Sequence, residues 1–130
     1  MGALGAALPC AGSPGEYRGA LGAGTALWAA AHHDAPFLQI VYTNRSYTTG
    51  PERIMATYGA ESFAAEGGFE GGYFDPPIDF AKEAEAAGAH GETVRDPAEL
   101  EGALARGLEQ VRSGKPAVVS IWIKRLEGED

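Results

Sequence analysis

The 130-residue sequence has one cysteine, Cys10. An internal disulfide is impossible, which fits a reducing cytoplasm. No histidine is spaced to serve Cys10 as a base, so an inert thiol is the simpler reading. Positive charge is also scarce, with 10 Lys and Arg against 18 Asp and Glu, a net charge of −8 and a pI near 4.8. Phosphate backbones and anionic lipid surfaces would be repelled, so nucleic acid and membrane surfaces are excluded as leading partners. No apolar run reaches the length of a membrane span. The uncharged stretch over residues 1–14 is broken by glycines and prolines and lacks the basic start of a leader. Internal repeats are absent. Large apolar side chains are nearly missing from the first 24 residues, so an irregular Gly/Ala-rich start is expected over residues 1–21. What is present is 45% hydrophobic residues in a chain of single-domain size, enough for a core.

Residues 25–33 (TALWAAAHH) favour a helix, which Asp34 and Pro36 stop. Residues 37–42 (FLQIVY) follow as an apolar run of strand length, and residues 117–123 (AVVSIWI) form a second. Neither alternates cleanly, which predicts burial on both faces, as in a parallel sheet. Residues 96–114 carry well-marked helix ends. Asp96 caps, Pro97 suits the first turn, Glu99 completes a capping box, and Gly114 closes. Leu100, Leu104, Leu108 and Val111 make its apolar stripe. Residues 80–87 read as a shorter helix ended by Gly88, and residues 90–95 as a short strand. Helices crossing between such strands imply a three-layer α/β domain with a mainly parallel sheet. That domain is expected over residues 22–125, with an acidic tail at 126–130.

Ligands of open parallel sheets bind beyond the carboxyl ends of the strands. The first strong strand runs into Thr43-Asn44-Arg45-Ser46-Tyr47-Thr48-Thr49-Gly50, a loop with an amide, hydroxyls and a cation. Asn44 has a carbonyl oxygen for a hard cation, and the Ser46 main-chain carbonyl is a second. An ordinary Asn/Ser turn accounts for the same residues. Elsewhere the bland readings prevail. His32-His33-Asp34 reads as a helix end, since neighbouring helical residues point apart. Glu66, Glu70 and Asp75 read as solvated surface, and Trp28 and Trp122 as core.

Residues 28–123 resemble the C-terminal, pyrophosphate-binding domain of thiamine-diphosphate enzymes of the acetolactate synthase and benzoylformate decarboxylase group. The matching pieces are WAAAHHDAPFLQIVYTNRSY and DPPIDFAKEAEAAGAHGETVRDPAELEGALARGLEQVRSGKPAVVSIWI. The second has the family's Asp-Phe-Ala start, Gly-terminated helix, Asp-Pro-x-Glu-Leu and Gly-Lys-Pro-Ala before the last strand. The resemblance implies thiamine diphosphate and Mg²⁺ as cofactors and 2-oxo acids as substrates for decarboxylation or carboligation. It also implies a pyrimidine-binding domain, supplied by another chain or a missing segment, and a homo-oligomeric full-length enzyme. The family holds the diphosphate through Mg²⁺, using a Gly-Asp-Gly motif before a helix and an Asn-Asn pair after the next strand.

Here the pair reads Thr43-Asn44, so the second Asn is retained as Asn44, and the carbonyl donor two residues on is Ser46 rather than Gly. Tyr47 and Thr48 complete the implied cofactor contacts. The Gly-Asp-Gly motif is missing; Glu16 stands near its place and is the implied replacement for the acidic metal ligand. The strand that should precede it is also missing. The beginning therefore reads as an altered or truncated start of a longer protein, and catalysis by this chain alone is not expected. A different class of reading stays open: a truncated, non-catalytic α/β domain that has lost cofactor binding.

Overall fold

The computed structural model describes residues 16–46, 49–59 and 73–124, with backbone alone for residues 16–23, 49, 51 and 52. The elements in chain order are α1 (Glu16–His32), β1 (Leu38–Thr43), α2 (Thr49–Tyr58), α3 (Phe80–Ala86), β2 (His90–Val94), a 3-10 turn (Pro97–Glu99), α4 (Leu100–Arg112) and β3 (Ala117–Trp122). They divide into two compact units. One takes Met1–Thr43 and Asp79–Ile123, the other Asn44–Ile78 and Lys124–Asp130.

The first unit holds the sheet, ordered β1-β3-β2, with both pairings parallel. Leu38 and His90 stand level with Ala117, and Thr43 stands level with Trp122. The two strong apolar runs are thus direct parallel neighbours, and the α/β architecture agrees with the sequence reading. Successive residues of β2 show which helix covers which face. Glu92 meets Arg106 of α4, while Gly91 lies against Ala81 of α3. Because side chains alternate across a strand, α3 and α4 flank opposite faces. Helix α1 packs beside α3, where Gly88 approaches the Ala31 side chain. The result is helix, sheet, helix.

On the α4 face, Val94, Ala103 and Val119 form a core, with Leu38, Leu100, Leu104 and Ile121 packed against it. On the other side, α1 buries Leu27 and Ala30, and α3 buries Phe80 and Ala84. Helix α4 sits close because Gly107 has no side chain. A Cβ there would lie 2.9 Å from Leu38 Cδ1 and 3.2 Å from Val119 Cγ2. This close approach corrects the expected stripe at Leu108, while Leu100 and Leu104 pack on the core as expected. Ala103 and Gly107 are the buried positions, and Leu108 turns outward with 40% of its surface exposed.

Strand burial also departs from expectation. Ala117–Ser120 of β3 are all buried, as two covered faces require, but β1 is half-buried and Tyr42 is 58% exposed. Among the described residues β1 is an outer strand, and an apolar run alone does not distinguish an outer strand from a central one.

Helix ends follow local chemistry. The Asp79 carboxylate caps α3 by accepting from Lys82 N–H at 3.1 Å. That hydrogen bond chiefly holds its pKa below the usual value. Asp96 caps as expected, although it accepts from Ala98 N–H at 2.9 Å and opens a 3-10 turn before α4. Helix α4 closes with Lys115 N–H on Gln110 C=O and Gly114 N–H on Val111 C=O, the two bonds of a Schellman end. Helix α1 ends similarly, Ala35 N–H reaching Ala30 C=O around Asp34 at φ 50°. It begins at Glu16 rather than Thr25, so glycines at 19, 22 and 24 did not prevent helix formation. The irregular start expected over residues 1–21 falls mostly outside the described residues, as do Cys10 and most of the acidic tail. No helix among the described residues is long and apolar enough to cross a membrane.

Candidate functional site

Thr43 is the last residue of β1, and Asn44 follows it directly into the second unit. The Asn44 side-chain carbonyl Oδ1 accepts a hydrogen bond from Ser46 N–H at 3.0 Å. This is an Asx turn, in which a short side chain replaces a backbone acceptor. The residue inside it, Arg45, has φ 59°, a left-handed conformation for a side chain other than glycine. Arg45 C=O accepts from Phe74 N–H at 3.0 Å, and Ser46 forms an isolated antiparallel bridge with Tyr73. The loop is therefore fixed twice, by its own asparagine and by the 73–74 segment.

These bonds orient the oxygens named from the sequence. Asn44 Oδ1 spends one lone pair on Ser46 N–H and retains another. The hydrogen bond at the bridge uses the Arg45 carbonyl and leaves the Ser46 carbonyl outside it. A feature that sequence reading missed is the Ser46 side chain. Ser46 is only 6% exposed, and its buried Oγ has no hydrogen-bond partner among the described residues. Its identity as a hydroxyl was visible in the sequence; its burial was not.

The other named positions are resolved unevenly. Tyr47 and Thr48 lie outside the described residues. Glu16 opens α1, but its side chain is likewise outside them. Glu66 and Glu70 are outside as well. A helix that the sequence left as loop, α2, begins immediately after Thr48. Trp28 is not core: it is 57% exposed and stacks on His32, ring centroids 5.0 Å apart. Trp122 is half-buried beneath the Arg95 guanidinium, 4.1 Å from the ring centroid. A cation over an indole face is favourable in itself.

A parallel sheet between helix layers is the α/β architecture whose ligands bind beyond the carboxyl ends of the strands. The chain matches the family of the thiamine pyrophosphate enzyme C-terminal TPP-binding domain over residues 18–121. It belongs to that family and is a thiamine-diphosphate-binding domain by descent. Asn44, Arg45 and Ser46 lie inside the matched residues, whereas Glu16 lies before them. The donors fit the family's metal in kind. Asn44 Oδ1 and the Ser46 carbonyl are neutral hard oxygens of the type Mg²⁺ accepts alongside phosphate oxygens and water.

Proposed function

We propose that this chain is the diphosphate-anchoring domain of an acetolactate synthase-like enzyme that decarboxylates or ligates 2-oxo acids. The observation that carries the reading is the braced turn from Asn44 to Ser46, with its amide oxygen hydrogen-bonded in place. Asn44 Oδ1 and the Ser46 carbonyl would hold Mg²⁺, which would supply the positive charge that a diphosphate needs. The acidic ligand remains the sequence-based expectation at Glu16. Tyr47 and Thr48 extend the contacts along the same loop. Bound thiamine diphosphate supplies the carbanion chemistry that 2-oxo acid conversion requires. The chain's own contribution is to fix one end of the cofactor so that its reactive ring is presented at a constant position.

The other end needs enclosure that this domain does not provide. A pyrimidine-binding domain, from another chain or another segment, is the partner, and the working enzyme is a homo-oligomer. The chain alone is therefore not an active catalyst. Titration calorimetry with thiamine diphosphate, with Mg²⁺ or with a chelator, tests the reading. Binding should require Mg²⁺. Binding that persists in chelator overturns metal anchoring, and no binding at any accessible concentration favours a non-catalytic domain that has lost its cofactor.

A further inference from the structure

We infer that the Ser46 hydroxyl donates a hydrogen bond to a diphosphate oxygen of the cofactor. This contact is separate from metal ligation and rests on the reading of the loop as the diphosphate site. The hydroxyl is buried, with Ser46 only 6% exposed, yet among the described residues its Oγ meets no partner. A buried hydroxyl left unmade costs stability, and such groups are nearly always satisfied by something. Two backbone groups beside it are already engaged. Ser46 N–H is held by Asn44 Oδ1, and the neighbouring Arg45 carbonyl by Phe74 N–H.

The two hydrogen bonds that brace the loop are complete without this oxygen. Its neighbours Asn44 Oδ1 and the Ser46 carbonyl are acceptors and suit a cation. A hydroxyl is different because it carries a proton to give. Beside a metal-bound diphosphate, the complementary group is an anionic oxygen, and donors to such oxygens make short, charge-assisted bonds. On this reading one residue would offer its carbonyl to the cation and its hydroxyl to the anion. A glycine would supply only the first.

The test is amide NMR of the isotope-labelled chain, titrated into the millimolar range. The ligands are Mg²⁺ with thiamine diphosphate, Mg²⁺ with inorganic pyrophosphate, and Mg²⁺ with thiamine lacking phosphate. Wild type should show saturable shifts at residues 44–46 and 74 with both diphosphates and none with thiamine. Ser46→Ala should weaken both diphosphates by about ten- to a hundredfold, the worth of one hydrogen bond to a charged group. Ser46→Thr, which keeps the hydroxyl, should retain most of the affinity. The unliganded Ser46→Ala chain should melt at the wild-type temperature or above, because no protein partner is lost.

Equal binding by wild type and Ser46→Ala overturns the hydroxyl's role while leaving the loop reading intact. Weaker binding accompanied by a lower melting temperature without ligand makes the hydroxyl structural and also overturns it. Absence of any saturable shift in this loop of the wild type overturns both.

Discussion

Gly91 of β2 lies directly under the backbone of Ala81 in α3: a Cβ at position 91 would stand 2.0 Å from the Ala81 carbonyl oxygen and 2.7 Å from its Cα. No real Cβ tolerates such approaches, and the obstructing atoms are main chain, so no side-chain rotation relieves them. Gly91→Ala must push α3 off the sheet or break the β2 pairing with β3. The expected loss is about 3 kcal/mol or more, at the upper end of overpacking effects. Gly107→Ala is the comparison, because its nearest obstacle is the flexible end of Leu38 at 2.9 Å. It should cost roughly 1 kcal/mol, the lower end of the same range. Urea unfolding of both variants checks the order; equal losses would show that α3 yields as easily as a leucine side chain.

Two helix ends make opposite predictions. Asp34 ends α1 in a left-handed conformation, φ 50°, that favours glycine. Asp34→Gly should raise stability by about 0.5–1 kcal/mol by removing that penalty. Gly114 ends α4 at φ 94° with open space around it, so only backbone strain opposes a side chain there. Gly114→Ala should cost about 1 kcal/mol. Thermal unfolding reads both, and a stabilising Gly114→Ala would contradict the Schellman geometry.

The Glu92 carboxylate gives a pH signature. Arg106 Nε donates to Glu92 Oε2 at 3.2 Å, a second nitrogen of the same guanidinium donates to Oε1, and His90 Nε2 lies 3.6 Å away. The Arg106 hydrogen bonds, only partly offset by burial, hold the carboxyl below the usual glutamate value. A depressed folded-state pKa contributes stability above the unfolded value and loses it as pH falls through the folded one. Wild type should therefore exceed Glu92→Gln in stability by most at neutral pH, and the two should converge in acid. Glu83 carries the opposite sign, because burial raises its pKa. Its contribution is present below the unfolded value and fades as pH rises. A pH-independent gap between wild type and Glu92→Gln would remove the ion pair from the balance.

What the sequence reveals here depends on the length scale at which each feature is decided. Strand composition, the Asp96 cap and the Gly88 and Gly114 stops are local, and all were readable in order. The outward turn of Leu108 was not, since it depends on Gly107 meeting Leu38 and Val119 from two strands. Exposure of Trp28 has the same origin: a helix face is assigned by its neighbours, and residues 25–33 are too uniformly apolar to mark one. In the loop, Asn44 and Ser46 were legible as oxygen donors by residue type and position. The buried hydroxyl of Ser46 was not, because burial there comes with the bridge to Tyr73, 27 positions away in the sequence. Helix α2 went unseen because residues 49–58 include Gly50 and Pro51, which read as loop unless Pro51 is recognised near a helix start.

The lone chain should bind thiamine diphosphate with Mg²⁺ more weakly than micromolar, and that residual binding should depend on Asn44. Diphosphate carries concentrated negative charge, and a chain with net charge −8 adds no general attraction for it. Affinity must then come through the metal, which demands near-octahedral oxygens at short distance. Asn44 is the side-chain donor for which position and orientation are both defined, its Oδ1 held by Ser46 N–H. On the proposed reading, the cofactor's pyrimidine half would rely on a partner domain for the apolar enclosure that raises affinity in complete small-molecule sites. Asn44→Ala removes the proposed metal donor and also releases the Asx turn, freeing Arg45 from its left-handed conformation. Loss of binding should therefore accompany changed amide shifts at Arg45, Ser46 and Phe74. Asn44→Asp separates the two effects, keeping an acceptor for Ser46 N–H while adding a charged metal ligand, and should bind at least as tightly as wild type. Calorimetric titration of the three proteins in Mg²⁺ decides the matter. Micromolar affinity in the wild type would mean the domain builds a sufficient site by itself, and undiminished binding in Asn44→Ala would take this loop out of cofactor anchoring.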